Sequence, residues 1–321
     1  MKDSYGREID YMRISVTDRC NLRCKYCRPE SIPFVAHEQI LRNEEILRIA
    51  RLTTELGVRN IRVTGGEPLV RRGVMDLLRE LKKLPLLARL TLTTNGVLLE
   101  QHLKELSDIK LDGVNISLDT LNPETYHTLT GVDVFHEVWR GIEAVLETDM
   151  RVKLNCVPLR GVNEKEYLKM AALAEEKRLD VRFIEVMPIG EGITFEPIDG
   201  ESILKELLSV YPDLKEGSRK RGSGPARYYE GRLKGSIGFI SAVSSCFCEK
   251  CNRIRLTSVG KLKFCLFYDD VMDLSALLRS GANDDEIKDA VVHAVLKKPE
   301  KHEFSGGQAP RERKKMWQIG G

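Results

Sequence analysis

Along the chain, short apolar or β-branched runs alternate with longer stretches whose apolar positions recur at helical spacing. The runs fall at Arg13–Val16, Asn60–Val63, Arg89–Leu92, Gly113–Ile116, Lys153–Val157 and Val181–Ile184, and each reads as a strand. Between them, Asn43–Leu56, Val74–Lys82, Val97–Leu106, Val134–Leu146 and Glu164–Glu176 read as helices, the first with Asn43 as N-cap and Gly57 just past its end. Six strands alternating with five helices predict a parallel sheet with right-handed crossovers. Six units fall short of the eight of a closed barrel, so the expected α/β fold is a partial TIM-type (βα)6 barrel, or else an open doubly wound sheet.

After about Gly190 the pattern changes to that of an α+β region. One helix is offered by EGITFEPIDGESILKELLSVYP, a polar glycine-rich loop by 215–224, a hairpin by Arg227–Arg232 and Ser236–Ser241, and two helices by Asp273–Arg279 and Asp284–Leu296. The expected division is a barrel core over 1–190 and a second region over 191–321. The last stretch, Lys297–Gly321, carries seven Lys/Arg against three Glu and ends in QIGG.

At 321 residues, 42% hydrophobic and 31% charged, the composition is that of an ordinary globular protein. A net charge of +3 argues for neither a nucleic-acid nor a membrane partner. No run approaches the roughly 18 apolar residues of a spanning helix. The N-terminal MKDSYGREID has no apolar leader, so the expected location is the cytoplasm. There, clustered cysteines bind metal more often than they pair as disulfides, and this chain has eight.

Three of them, Cys20, Cys24 and Cys27, fall within SVTDRCNLRCKYCRPE after the first strand. A closed structural zinc site takes four ligands, whereas three thiolates on a four-iron cluster leave one iron open to a small chelating molecule. A zinc site completed by a distant residue is the alternative. The C-x3-C-x2-C spacing, with Tyr26 before its last cysteine, resembles the signature of radical S-adenosylmethionine enzymes. Gly65-Gly66-Glu67-Pro68 follows strand two, where paired glycines let a ligand approach the backbone. Thr93-Thr94-Asn95-Gly96, Ser117-Leu118-Asp119 and Glu185-Val186-Met187 end later strands, so five unusual stretches converge on the rim where parallel α/β folds place their sites.

A second spaced set, Cys248-x2-Cys251-x13-Cys265, reads as another three-ligand cluster site, with a zinc ribbon using Cys246 as the alternative. Only Phe247 separates Cys246 from Cys248, too close for the usual knuckle. Arg253 and Arg255, two apart in an extended segment, face the same way and suit phosphate or carboxylate. Arg13, Arg62, Lys153 and Arg182 lie on or beside strands, as expected if the barrel encloses a polyanion such as a triphosphate. The six histidines show no metal spacing.

Together these stretches resemble the radical S-adenosylmethionine GTP 3′,8-cyclase family of molybdenum cofactor biosynthesis, over nearly the whole chain. The resemblance rests on RISVTDRCNLRCKYC, RVTGGEPLVRR, TTNG, NISLD, RFIEVMPIG, FCEKCNRIRLT with CLF, and the terminal Gly320-Gly321. It implies two [4Fe-4S] clusters, on Cys20, Cys24 and Cys27 and on Cys248, Cys251 and Cys265, the second facing the guanine. It implies S-adenosylmethionine contacts at Tyr26, Gly66, Ser117 and Met187, and GTP contacts at Arg13, Arg62, Thr93, Lys153, Arg182, Arg253, Ile254 and Arg255. A 5′-deoxyadenosyl radical would remove the ribose 3′ hydrogen, and the new radical would attack C8. Gly320 and Gly321 would reach into the active site for turnover. The implied partners are GTP, an electron donor and a downstream cyclic pyranopterin monophosphate synthase, with a homodimer admitted. A peptide-maturation enzyme with an auxiliary cluster is the runner-up, and a zinc-binding nucleic-acid protein the reading from another class.

Overall fold

The strands form where alternation gives each one apolar and one polar face. The computed structural model describes residues 1–28, 34–217, 221–269, 271–304 and 315–319; Gly320 and Gly321 lie outside them. In chain order, β1 (Tyr11–Ser15), α1 (Asn43–Glu55), β2 (Asn60–Thr64), α2 (Val74–Lys82), β3 (Arg89–Thr94), α3 (Leu99–Asp108), β4 (Gly113–Ser117), α4 (Pro123–Thr130), α5 (Phe135–Leu146), β5 (Arg151–Cys156), α6 (Tyr167–Glu176) and β6 (Asp180–Ile184) build the βα series. Then follow α7 (Gly200–Val210), β7 (Lys215–Glu216), β8 (Arg227–Glu230), β9 (Ser236–Ile240), β10 (Arg253–Leu256), β11 (Lys261–Lys263), β12 (Met272–Asp273), α8 (Leu274–Arg279) and α9 (Asp284–Leu296).

The strands join one sheet ordered β12-β11-β10-β1-β2-β3-β4-β5-β6-β9-β8-β7. From β10 to β9 all neighbours are parallel, and the outer strands at each end are antiparallel. The late strands therefore extend both edges of the early sheet. Met12, Ile14, Val63, Leu92, Ile116 and Leu154 face the helices in one continuous core with Ile46, Leu78, Val138 and Ile142. Each such side chain, fully buried, contributes about 2 kcal/mol. The opposite positions, Arg13, Arg62, Thr93, Asn115, Asn155 and Arg182, turn inward.

Four strand spacings separate β2 from β6, about 19 Å in a flat sheet. Yet the Arg182 guanidinium acts on that of Arg62, so the sheet curls into a partial barrel with its polar face inside.

Two expectations need correction. Asn43 is the first helical residue of α1 rather than its cap: its side chain binds the Gly73 carbonyl and the Arg71 guanidinium, while Glu45 caps the Arg42 N–H at 2.7 Å. The short helix α4, with Asn122 as N-cap and Pro123 at its first turn, stands where the periodicity shows none. It has eight residues and buries only Tyr126, Leu129 and Thr130, too few to register as an amphipathic stripe.

Glu45 also fastens α8 to α1. Its carboxylate takes two bonds from Arg279, at 3.0 and 3.2 Å. Burial opposes ionisation, but these donors and Arg42 hold the group down to about 2, from an ordinary value near 4.5. A depressed carboxylate gives stability above its unfolded value and loses it as pH falls through the folded one. Glu45→Gln is expected to cost about 1–2 kcal/mol at pH 7 in denaturant unfolding, the deficit shrinking between pH 4.5 and 3. A deficit constant with pH would assign the effect to shape, not charge.

Candidate active site

Beyond Ser15 the chain turns through Cys20, Cys24 and Cys27 over the carboxyl ends of the strands. The backbone N–H groups of Arg23 and Lys25 donate to the Thr130 and Leu129 carbonyls at 2.8 and 2.9 Å, so the end of α4 props this loop. From the other side, the N–H groups of Gly66 and Glu67 donate to the Thr17 and Arg19 carbonyls at 2.7 and 2.8 Å. A Cβ on Gly65 would lie 2.7 Å from the Thr17 oxygen, and one on Gly66 would collide with Arg19. The glycines expected to admit a ligand also admit the cysteine loop itself.

Buried carboxylates lock the frame. Glu67 accepts from the Thr94 hydroxyl at 2.8 Å, the Asn95 N–H at 2.6 Å and the Leu69 N–H at 3.0 Å, tying the β2 turn to the end of β3. Burial lifts it to about 7. Asp119 takes the Tyr26 hydroxyl at 2.6 Å and the Val157 N–H at 2.8 Å, and burial lifts it to about 6. Tyr26, next to the last cysteine of the loop, is thereby fixed in place.

Burial raises the three thiols, Cys20 to about 11, Cys27 to about 12 and Cys24 well above its ordinary range, with neighbouring thiolates adding to it at Cys24 and Cys27. Thiols so placed ionise when a metal supplies the positive charge. Across the cavity, Cys248 and Cys251 bracket a 3-10 turn, Cys248–Lys250, and Cys265 follows β11. The buried ammonium of Lys298 stands 3.5 Å from the Cys251 sulfur and 2.8 Å from the Phe264 carbonyl oxygen. Burial alone would raise Cys251, but Lys298 and Arg253 bring it down to about 7, while burial raises Cys265.

Both triads line one cavity of about 330 Å³, with Arg13, Arg62, Gly66, Thr93, Ser117, Arg182, Met187, Arg253 and Arg255 between them. The register Arg62↔Arg13↔Arg255 brings three of these arginines side by side on adjacent strands. Burial, then Arg255, pushes Arg13 well below its usual range. Burial, then Arg253, pushes Arg255 down to about 10. Arg62 and Arg182 bond to neutral oxygens, of Thr91 at 3.4 Å and Asn115 at 2.5 Å. Among the described residues, the buried Arg182 Nε, Thr93 Oγ1 and Asn155 Oδ1 have no hydrogen-bond partner. Cations crowded against one another and polar atoms left bare in a cavity suit a polyanionic, hydrogen-bonding ligand.

Two expected contacts stand apart. Lys153 pairs with Asp180 at 2.9 Å and the Tyr228 hydroxyl at 2.8 Å, beside a smaller cavity of about 40 Å³ whose wall includes Arg62 and Arg182. Ile254 points its side chain into the helix-side core, leaving only its main chain near the site. The residues before Gly320 reach the cavity too. The backbone N–H of Trp317 donates to the Cys27 sulfur, Arg28 lies over its indole at 5.3 Å, and Ile319 packs with Ile189, Phe267 and Phe304. Lys298 and Arg28 carry no sequence signal of their own: each is an isolated residue whose role comes from what lies across the cavity.

The donor sets fit iron–sulfur clusters better than single ions. Three thiolates in each set match the ligand count of a four-iron cluster with one open iron, whereas a closed tetrahedral zinc site takes four.

The profile of the Radical SAM superfamily matches residues 14–174, and that of Molybdenum Cofactor Synthesis C residues 179–304. The GTP 3′,8-cyclase of Clostridium perfringens (strain 13 / Type A) is 43% identical over 324 residues, covering 100% of both chains. That of Moorella thermoacetica is 44% identical over 330 residues, again 100% of both. Among solved structures, Streptococcus suis SuiB bound to S-adenosylmethionine matches 97% of this chain and 77% of its own, at 14% identity and a TM-score of 0.63. Native anSMEcpe with bound AdoMet matches 92% and 82%, at 19% identity and a TM-score of 0.60. These two structures share the fold. No helix among the described residues is long and apolar enough to cross a membrane.

Proposed function

The chain belongs to the GTP 3′,8-cyclase family of radical S-adenosylmethionine enzymes, and on that premise we propose how its cavity divides the work. GTP lies between the two cysteine triads, its cyclisation being the first step of molybdenum cofactor biosynthesis. Cys20, Cys24 and Cys27 would hold the first [4Fe-4S] cluster, with S-adenosylmethionine against Tyr26, Gly66, Ser117 and Met187. Cys248, Cys251 and Cys265 would hold the second, beside the guanine. Bound there, cluster and cofactor supply the radical chemistry at the ribose 3′ position.

The protein's own part is orientation and charge. Asp119 fixes Tyr26, and Glu67 fixes the turn that carries Gly66. Arg13, Arg62, Arg182, Arg253 and Arg255 offset the triphosphate, which brings about four negative charges. Thr93 and Asn155 offer oxygens to the sugar or base. Lys153, held by Asp180, stands behind Arg62 and Arg182 and adds to the field through them. Lys298 keeps a positive charge against Cys251, favouring the more reduced state of whatever iron that thiolate holds. An electron donor, and a cyclic pyranopterin monophosphate synthase to take the product, complete the proposed pathway.

The observation that carries this reading is the group of crowded arginines, Arg182 and Arg255 buried among them, between two three-cysteine sets. Anaerobic incubation with GTP, S-adenosylmethionine and a reductant is expected to yield 5′-deoxyadenosine and a cyclised GTP together, from protein holding about eight irons per chain. Deoxyadenosine with GTP unchanged, or iron for one cluster only, would count against it.

A further inference from the structure

One group of metal-binding side chains overlaps the second triad at Cys248 but draws its other members from outside both triads. The donor atoms of Cys246, Cys248 and His302 all come within 4.8 Å of one another. We propose that these three residues form a distinct site for a single borderline-soft divalent ion, of the zinc or ferrous class, sharing Cys248 with the second triad.

The chemistry of the set is that of such an ion: two thiolates and an imidazole, with a fourth position left to water. Cys246 and Cys248 stand two apart, a spacing too tight for a zinc knuckle. It suffices for two ligands when the third comes from elsewhere. In a tetrahedral site, ligand atoms lie about 3.3–3.8 Å apart, so shifts of about 1 Å close the group.

The frame around it is already built. Arg7, buried and held by Asp3 at 2.6 Å, donates to the carbonyls of Cys248 at 2.8 Å, Glu300 at 2.7 Å and Pro299 at 2.6 Å. One guanidinium thus staples the Cys248 segment to the one that carries His302. A ring nitrogen of His302 bonds the Ala242 carbonyl, which sets the ring, and Nδ1 accepts from the Phe304 N–H at 3.3 Å. A carbonyl partner on one nitrogen is the usual support of a metal-binding histidine. Ahead of Cys246, the Glu185 carboxylate fixes the Val243 and Ser244 N–H groups, the former at 2.8 Å. Cys246 is exposed and Cys248 and His302 partly so, which gives an ion an entry path.

The site does not depend on the second cluster, but the two compete for one sulfur. An ion on Cys246, Cys248 and His302 would withhold Cys248 from cluster assembly while leaving the first triad free.

The test uses the full chain, freed of iron anaerobically, with the first triad replaced (C20A/C24A/C27A) so that only the late thiols report. Co²⁺ is the probe, read by its thiolate charge-transfer absorption, with Zn²⁺ as competitor. One equivalent is expected to bind. Cys246→Ser and His302→Ala should each weaken binding about tenfold or more, while C251A/C265A binds like the parent. Binding unchanged in Cys246→Ser and His302→Ala, lost in C251A/C265A, or absent from the parent would overturn the proposal. Should the triple replacement not fold, Cys246→Ser in the otherwise unaltered chain, a change at an exposed residue, is expected to lose one of the Co²⁺ equivalents that its parent binds, and no loss would overturn the proposal. Iron and sulfide content of the untreated protein judges the second cluster separately.

Discussion

Cys20→Ala is expected to abolish cleavage of S-adenosylmethionine, while Cys265→Ala retains part of that cleavage and forms no cyclised GTP. The two thiols line one cavity, yet sit in different loops with different neighbours. Cys20 takes the Leu22 N–H at 3.4 Å and the Asn95 amide at 3.8 Å, within the frame that Glu67 holds together. Removing it takes one of three ligands from the cluster that would bind the cofactor, and nothing nearby replaces it. Cys265 belongs to the opposite wall, with Lys298 and the arginines, where the substrate would be held. Its loss should leave the cofactor site intact and uncouple it from the substrate. The measurement is 5′-deoxyadenosine and cyclised product quantified side by side, with iron counted in each variant. Equal and complete loss of cleavage in both would defeat the division of labour.

Removal of Gly320 and Gly321 is the second large effect, expected to lower GTP conversion by about a hundredfold or more while sparing the fold and the iron content. The reasoning starts from the residues that remain. Trp317 and Ile319 are 1% and 0% exposed, the first bonded to the Cys27 sulfur and the second packed on Phe267 and Phe304. An ion pair from Lys315 to Glu191 fastens the segment behind them. These anchors survive the truncation, so thermal unfolding should be little changed. By contrast, Trp317→Ala removes an anchor, at about 3–5 kcal/mol for a buried indole, and should lower stability together with turnover. Full activity in the truncated chain would make the two glycines bystanders.

The early strands and their helices could be read from the sequence because each strand needs only its own alternation and each long helix its own stripe. β1 to β6 and α2 fall where the pattern puts them to within a few residues. What the pattern missed depends on partners far along the chain. α4 matters through two carbonyls lent to the cysteine loop, and nothing in PETYHTLT advertises that. In the sequence Lys153 reads with the cavity arginines, because a charge on a strand looks the same whether it meets substrate or Asp180. His302 has no metal spacing from any other histidine; its partners are thiols more than fifty positions away, brought near by Arg7. The cysteine triads were legible because their spacing is local, and the cofactor-side glycines because they sit between a strand and its helix.

The order of the sheet bears on how the chain acquires its shape during synthesis. β10 lies beside β1, and β9 beside β6. Until about three-quarters of the polypeptide has emerged, both margins of the nascent six-stranded layer remain bare rows of unpaired N–H and C=O groups. Contacts between opposite ends of a chain close late and slow the overall rate. A half-made layer with two open margins is also the kind of species that recruits neighbours into aggregates. Cutting between the two segments matched by separate sequence profiles would leave neither piece with a finished edge.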